Sequence, residues 1–120
     1  MEKVDPKYLI AWRNRFAERD SESRELAARA RTDLAAAAEI LKKYGAKKIL
    51  IFGSLCRTDR FHSGSDIDIA VEGIPPQHFI RAAADLMMAT DFPIDLKPLE
   101  EVDDLFRDLI NKNGELIYAE

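Results

Sequence analysis

Residues 47–68 read KKILIFGSLCRTDRFHSGSDID, and the order of their parts decides the fold. The apolar run Ile49-Leu50-Ile51-Phe52 reads as a strand that stops at Gly53-Ser54. A polar loop follows, and a second strand opens with Asp66-Ile67-Asp68. Strand side chains alternate between faces, so Asp66 and Asp68 project together while Ile67 and Ile69 face a core. Two adjacent carboxylates repel each other and resist joint ionisation. A divalent cation removes that conflict, and hard oxygen ligands favour Mg2+, with Mn2+ as the alternative. Gly53-Ser54 opens what reads as a short helical turn over 54–58, whose free backbone N–H groups attract phosphate. A phosphate cradle beside a carboxylate pair points to chemistry on a nucleoside triphosphate.

Upstream of this stretch the pattern is helical. Asp5-Pro6 suits a helix opening, since Asp caps free N–H groups and Pro fits the first helical position. Tyr8, Leu9, Trp12 and Phe16 recur at three- and four-residue spacing as one apolar stripe, read either as packed on the domain or as a partner surface. The polar stretch 19–23 either breaks the helix or forms an exposed turn of it. Leu26, Ala30, Leu34, Ala37 and Leu41 then share one face, with Lys42 and Lys43 at the negative end of the helix dipole and Gly45 as the stop.

Downstream, a strand over 67–72 ends at Gly73, and Pro75-Pro76 opens a helix whose expected buried face is Phe79, Ile80, Ala83, Leu86 and Met87. A short strand over 94–97 follows. Leu105, Phe106, Leu109 and Ile110 mark a last helix closed by Gly114, and residues 115–118 add an edge strand. Strands alternating with helices imply an α/β or α+β domain: a small mixed sheet flanked by helices, with an extra N-terminal helical segment.

The chain has 120 residues, of which 47% are hydrophobic and 33% charged, which suits one globular domain rather than a disordered or membrane-spanning chain. No apolar run approaches the roughly 18 residues that a membrane span needs. The opening MEKVDPKYL has no signal-peptide core, so a cytoplasmic location is expected. Cys56 is the one cysteine, which excludes an internal disulfide. A net charge of −4 argues against an extended nucleic-acid groove. His62 and His78 have no partner pattern for a metal site or a triad and read as surface residues; Lys97 reads as a solvated charge.

Asp95 supplies a third acid. In Pro93-Ile94-Asp95-Leu96 the apolar neighbours point to a core and leave Asp95 on the opposite face. If its strand lies beside 67–72, Asp95 joins Asp66 and Asp68. Three carboxylates can hold two divalent ions about 3.5–4 Å apart, the arrangement that serves in-line displacement at phosphorus.

Gly53-Ser54, eleven intervening residues, Asp66-Ile67-Asp68 and a later Asp95 make the chain resemble a minimal nucleotidyltransferase of the DNA polymerase beta superfamily. The likeness covers residues 40–120, including the Gly114-Glu115-Leu116-Ile117-Tyr118 ending, and leaves residues 1–38 as a helical extension of a single domain spanning 1–120. The resemblance implies that Asp66, Asp68 and Asp95 are catalytic and bind two Mg2+ ions. It also implies that Gly53, Ser54 and Arg57 contact the phosphates of ATP or another nucleoside triphosphate. Thr58 departs from the Gly or Ala that many small members carry after that arginine. Small stand-alone members of the MNT antitoxin type attach AMP to a tyrosine of a HEPN-type toxin. That acceptor is therefore expected here, ahead of a small molecule such as an antibiotic. A binding antitoxin that acts by contact alone is the alternative of a different class, and a homodimer is compatible with either.

Overall fold

The computed structural model describes residues 6–56 and 61–120, with side chains from residue 18 onward except residue 20. Asp5, the side chains of Tyr8, Leu9, Trp12 and Phe16, and both Arg57 and Thr58 lie outside the described residues. The first element is one helix, α1 (Pro6–Lys43). Residues 7–43 contain neither Gly nor Pro, so nothing in the sequence interrupts the hydrogen-bond ladder. The polar stretch at 19–23 is accordingly a turn of the helix rather than a break. Gly45 ends α1 with φ +104°, a left-handed conformation that only glycine adopts cheaply. The Gly45 and Ala46 N–H groups donate to the carbonyls of Lys42 and Leu41, both at 3.0 Å, and turn the chain into the sheet.

The remaining elements are β1 (Lys48–Phe52), a four-residue 3-10 turn (Gly53–Cys56), β2 (Ile67–Glu72), α2 (Pro76–Ala89), β3 (Ile94–Pro98), α3 (Asp104–Asn113) and β4 (Glu115–Ala119). The strands form one sheet in the order β3-β2-β1-β4. Strand β1 runs antiparallel to β2 and β4, whereas β2 and β3 are parallel and joined through α2. This is the expected α+β architecture: a mixed sheet flanked by helices, with a long N-terminal helix.

Alternation along the strands divides the core in two. One face presents Ile49, Ile51, Ile67, Ile69 and Val71, packed against α1 and against Ala82 and Leu86 of α2. The α1 stripe there is mostly alanine (Ala27, Ala30, Ala37 and Ala38, all buried), so the helix lies close on the sheet. The opposite face carries a smaller cluster of Leu50 and Ala70 under Leu99 and Ile110. Phe52 meets Phe106 of α3 edge-on there, with ring centroids 5.7 Å apart. Part of that second face is left for polar groups.

One expectation fails on α2. Leu86 is buried and Phe79 and Ala83 are half-buried, but Ile80 is 82% exposed and Met87 72% exposed. The helix is apolar over a wider arc than the sheet can cover, because the sheet ends at β3.

Candidate active site

The parallel pairing of β2 with β3 sets Asp68 directly opposite Asp95. Ile67, Ile69, Ile94 and Leu96 pack into the large core. By strand alternation the two aspartates therefore share the other face. Asp66 stands one residue ahead of β2 and is exposed. The turn before it is tied down: the Ser65 N–H donates to the His62 carbonyl at 2.9 Å, and the His62 N–H donates to Ser65 Oγ at 3.0 Å. The Ile67 N–H then donates to the Pro93 carbonyl at 2.8 Å, joining the starts of the two acid-bearing strands. Ser65, a buried polar residue, was not singled out from the sequence; in a Ser-Gly-Ser run nothing marks which hydroxyl is structural.

Gly53 follows β1, where Phe52 is paired with Asp68. Its φ of +74° is left-handed, and a Cβ built on it would lie 2.2 Å from Asp68 Oδ2. The conformation favours glycine at this point, and any side chain here would have to push the Asp68 carboxylate aside. Ser54 is half-buried in the 3-10 turn, which Leu55 anchors in the core. The turn spans 53–56; Arg57, expected to contact phosphate, lies outside the described residues.

Burial raises the Asp68 carboxyl from 3.8 to about 6, reinforced by the charges of Asp95 and Asp66 and opposed by Lys97. The Lys97 ammonium is 3.2 Å from Asp95 Oδ2, so the lysine read as solvated is an ion-pair partner of the site. Among the described residues no three His, Cys, Asp or Glu side chains are gathered into a metal cage. Asp68 feels the charge of both Asp95 and Asp66, and Lys97 is paired with Asp95. The donor set nonetheless fits a hard divalent cation in chemistry: carboxylate oxygens only, one of them disfavoured as an anion until positive charge arrives. Cys56 takes no part in this; burial pushes its thiol up, and Sγ donates to the Ile51 carbonyl at 3.4 Å.

Beside the acids lies a groove of about 500 Å³, between the 3-10 turn and α3, lined among others by Phe52, Gly53, Ser54, Phe106, Ile110 and Asn113. Gly53 is the wall shared by the groove and Asp68. The α3 contributors could not be singled out from sequence, because their apolar spacing is that of any helix packed on a sheet.

The sequence model described as "Polymerase beta, Nucleotidyltransferase" matches residues 36–120. No curated protein gives a significant match to the chain. Among solved structures, a toxin–antitoxin crystal structure with AMP-PNP is similar at TM-score 0.60 and 24% identity, over 69% of this chain and 70% of that one. A toxin–antitoxin structure of MntA-HepT aligns at TM-score 0.58 and 20% identity, covering 75% and 73%. So does a tri-AMPylated Shewanella oneidensis HEPN toxin in complex with MNT antitoxin, at TM-score 0.58 and 20% identity, covering 75% and 72%. At these identities the structures speak for the fold. The match over residues 36–120 takes in every strand and the whole acid-bearing face, and by it the chain belongs to the polymerase beta nucleotidyltransferase family.

Proposed function

We propose that this protein transfers AMP from ATP to a hydroxyl of a partner protein, a tyrosine of a HEPN-type toxin, and thereby acts as an antitoxin. The observation that carries the reading is the pairing of Asp68 with Asp95 across β2 and β3, next to Gly53 and Ser54. The AMPylated HEPN toxin in a structurally similar complex supports the acceptor class, and the AMP-PNP complex supports the donor. We place the catalytic core in residues 40–120, with residues 1–38 as an accessory helix, and the protein in the cytoplasm. No helix among the described residues is long and apolar enough to cross a membrane.

In this reading the acceptor oxygen attacks the α-phosphorus of ATP, the bond from that phosphorus to the bridging oxygen breaks, and pyrophosphate leaves. Asp95 faces the acceptor and takes its proton. Ser54 Oγ and the backbone at Gly53 hold the leaving phosphates, with Arg57 as a further contact. Asp66, Asp68 and Asp95 would hold Mg2+, which when bound offsets phosphate charge and makes the acceptor hydroxyl more acidic. Lys97 then gives up its hold on Asp95 and turns to phosphate oxygen. Most of the rate enhancement comes from this positioning and charge balance.

The test is transfer of label from α-labelled ATP to a HEPN-type partner with magnesium present. Loss of labelling in Asp66→Asn, with the complex intact, supports the proposal. Neutralisation of the toxin by that variant as effective as by the unaltered chain would instead mean inhibition by contact alone.

A further inference from the structure

We propose that the outer flank of α2, together with the β3 edge of the sheet, docks a protein segment that carries an apolar anchor flanked by Lys or Arg. On α2, Ile80, Ala84, Met87 and Met88 follow one another at helical spacing, and all four are exposed. The three large side chains are 82%, 72% and 89% exposed, an apolar surface with no cover among the described residues. The stripe leads into a hollow of about 360 Å³ lined by Ile74, Pro76, Phe79, Ile80 and Pro98, with Glu100 and Glu101 on its rim. The hollow is large enough for a bulky apolar side chain, and β3 beside it is the end strand of the sheet.

Charge selects the occupant. Among the described residues that line the hollow, the ionised groups are the two carboxylates, both on exposed residues. Glu100 accepts from the Gly73 N–H at 2.9 Å, which fixes one carboxylate at the mouth. A two-fold pairing of this chain would set the patch against itself and bring two such acidic rims into one interface. An anionic lipid surface meets the same repulsion. A basic segment of another protein removes it, because burying apolar area and answering a carboxylate rim are then done by the same ligand.

Position gives the docking a purpose. Leu96 and Pro98 alternate with Asp95 and Lys97 along β3, so the apolar hollow and the acid occupy opposite faces of one strand. A chain anchored over the edge reaches Asp95 by crossing a single strand. This deepens the transfer reading and rests on it for the occupant's role as acceptor; the docking itself needs no nucleotide.

The experiment uses the full chain with ¹³C-labelled Ile and Met methyl groups and no nucleotide. The probes are a synthetic amphipathic helical peptide with leucines on one face and lysines flanking them, and a control with glutamates in place of the lysines. The lysine peptide is expected to shift the methyl signals of Ile80, Met87 and Met88, and the control to leave them unmoved. Glu101→Lys should weaken the lysine peptide by roughly tenfold, and Asp68→Asn should leave its binding unchanged. Equal binding of both peptides, silent methyl signals, or the same signals shifting with chain concentration as the mass doubles in sedimentation would each overturn the proposal. If docking stands but the unaltered chain transfers no AMP to its partner, the transfer reading fails alone. If the methyls stay silent while the unaltered chain transfers AMP, the docking surface fails alone.

Discussion

The Asp68 carboxylate occupies the space that a side chain on Gly53 would need: the nearest oxygen lies 2.2 Å from where that Cβ would be. Gly53 also holds φ +74°. Two costs therefore fall on Gly53→Ala. The left-handed backbone costs about 1–2 kcal/mol of stability, a modest fall in melting temperature. Displacement of Asp68 should lower transfer on the order of a hundredfold, the penalty of moving a catalytic group by an ångström. Steady-state labelling and thermal denaturation of the same sample separate the two effects; an alanine variant with full activity would show that Asp68 can move freely.

Asp68→Asn should abolish transfer yet leave the metal-free protein at least as stable above neutral pH. The folded-state carboxyl titrates near 6 and the unfolded one near 3.8, the reverse of a stabilising carboxylate. Ionisation is disfavoured in the native state, so stability falls as pH rises from about 4 to about 6 and stays lowered above that. The asparagine variant lacks this fall. Chemical denaturation at pH 4.5 and 7.5 reads it, and added Mg2+ should raise the midpoint of the unaltered chain more at the higher pH.

The Arg31 guanidinium donates to both oxygens of Glu115, at 2.5 and 3.0 Å, and ties α1 to the edge strand β4. Its hydrogen bonds hold the Glu115 carboxyl below the usual carboxylate range, partly offset by burial. Because that value is depressed, the stabilisation is present above about pH 4.5 and is lost as pH falls through the folded value. Both side chains are more than a third exposed, so Glu115→Gln should cost ~1 kcal/mol or less. A double-mutant cycle with Arg31→Gln at pH 7 and at pH 3 should show weaker coupling at the lower pH.

Ala30 is fully buried where α1 lies on the sheet. Ala30→Leu should destabilise by about 1–3 kcal/mol through overpacking. The acid-bearing face is the opposite one, so activity per folded molecule should be retained; a matched loss of both would contradict the division of the core.

The acid-bearing strands were legible because alternation and register carry so much information. Once residues 67–72 and 94–97 read as strands, period two set Asp68 and Asp95 each opposite its apolar neighbours, but whether the two strands lie side by side stayed open in the sequence and is answered by the register of β2 on β3. Gly53-Ser54 was legible as a break after an apolar strand. What did not show is whatever depends on the limits of the sheet. Ile80 and Met87 have the spacing of a buried face, and only the position of β3 as last strand leaves them outside. Lys97 sits two residues from Asp95, but whether a lysine pairs or waves free is set by which acid stands nearby in space. The stretch at 19–23 was ambiguous for a similar reason, since polar residues are compatible with a turn of helix as well as with its end.

The long first helix has a mechanical consequence. Thirty-eight residues in one rod extend about 57 Å at the usual rise per residue, and the whole molecule is 63 Å in its longest dimension. With its C-terminal half clamped on the sheet and no Gly or Pro along the rest, the rod transmits leverage instead of absorbing it. A grip on its far turns would move the sheet with it, as a plate on a handle.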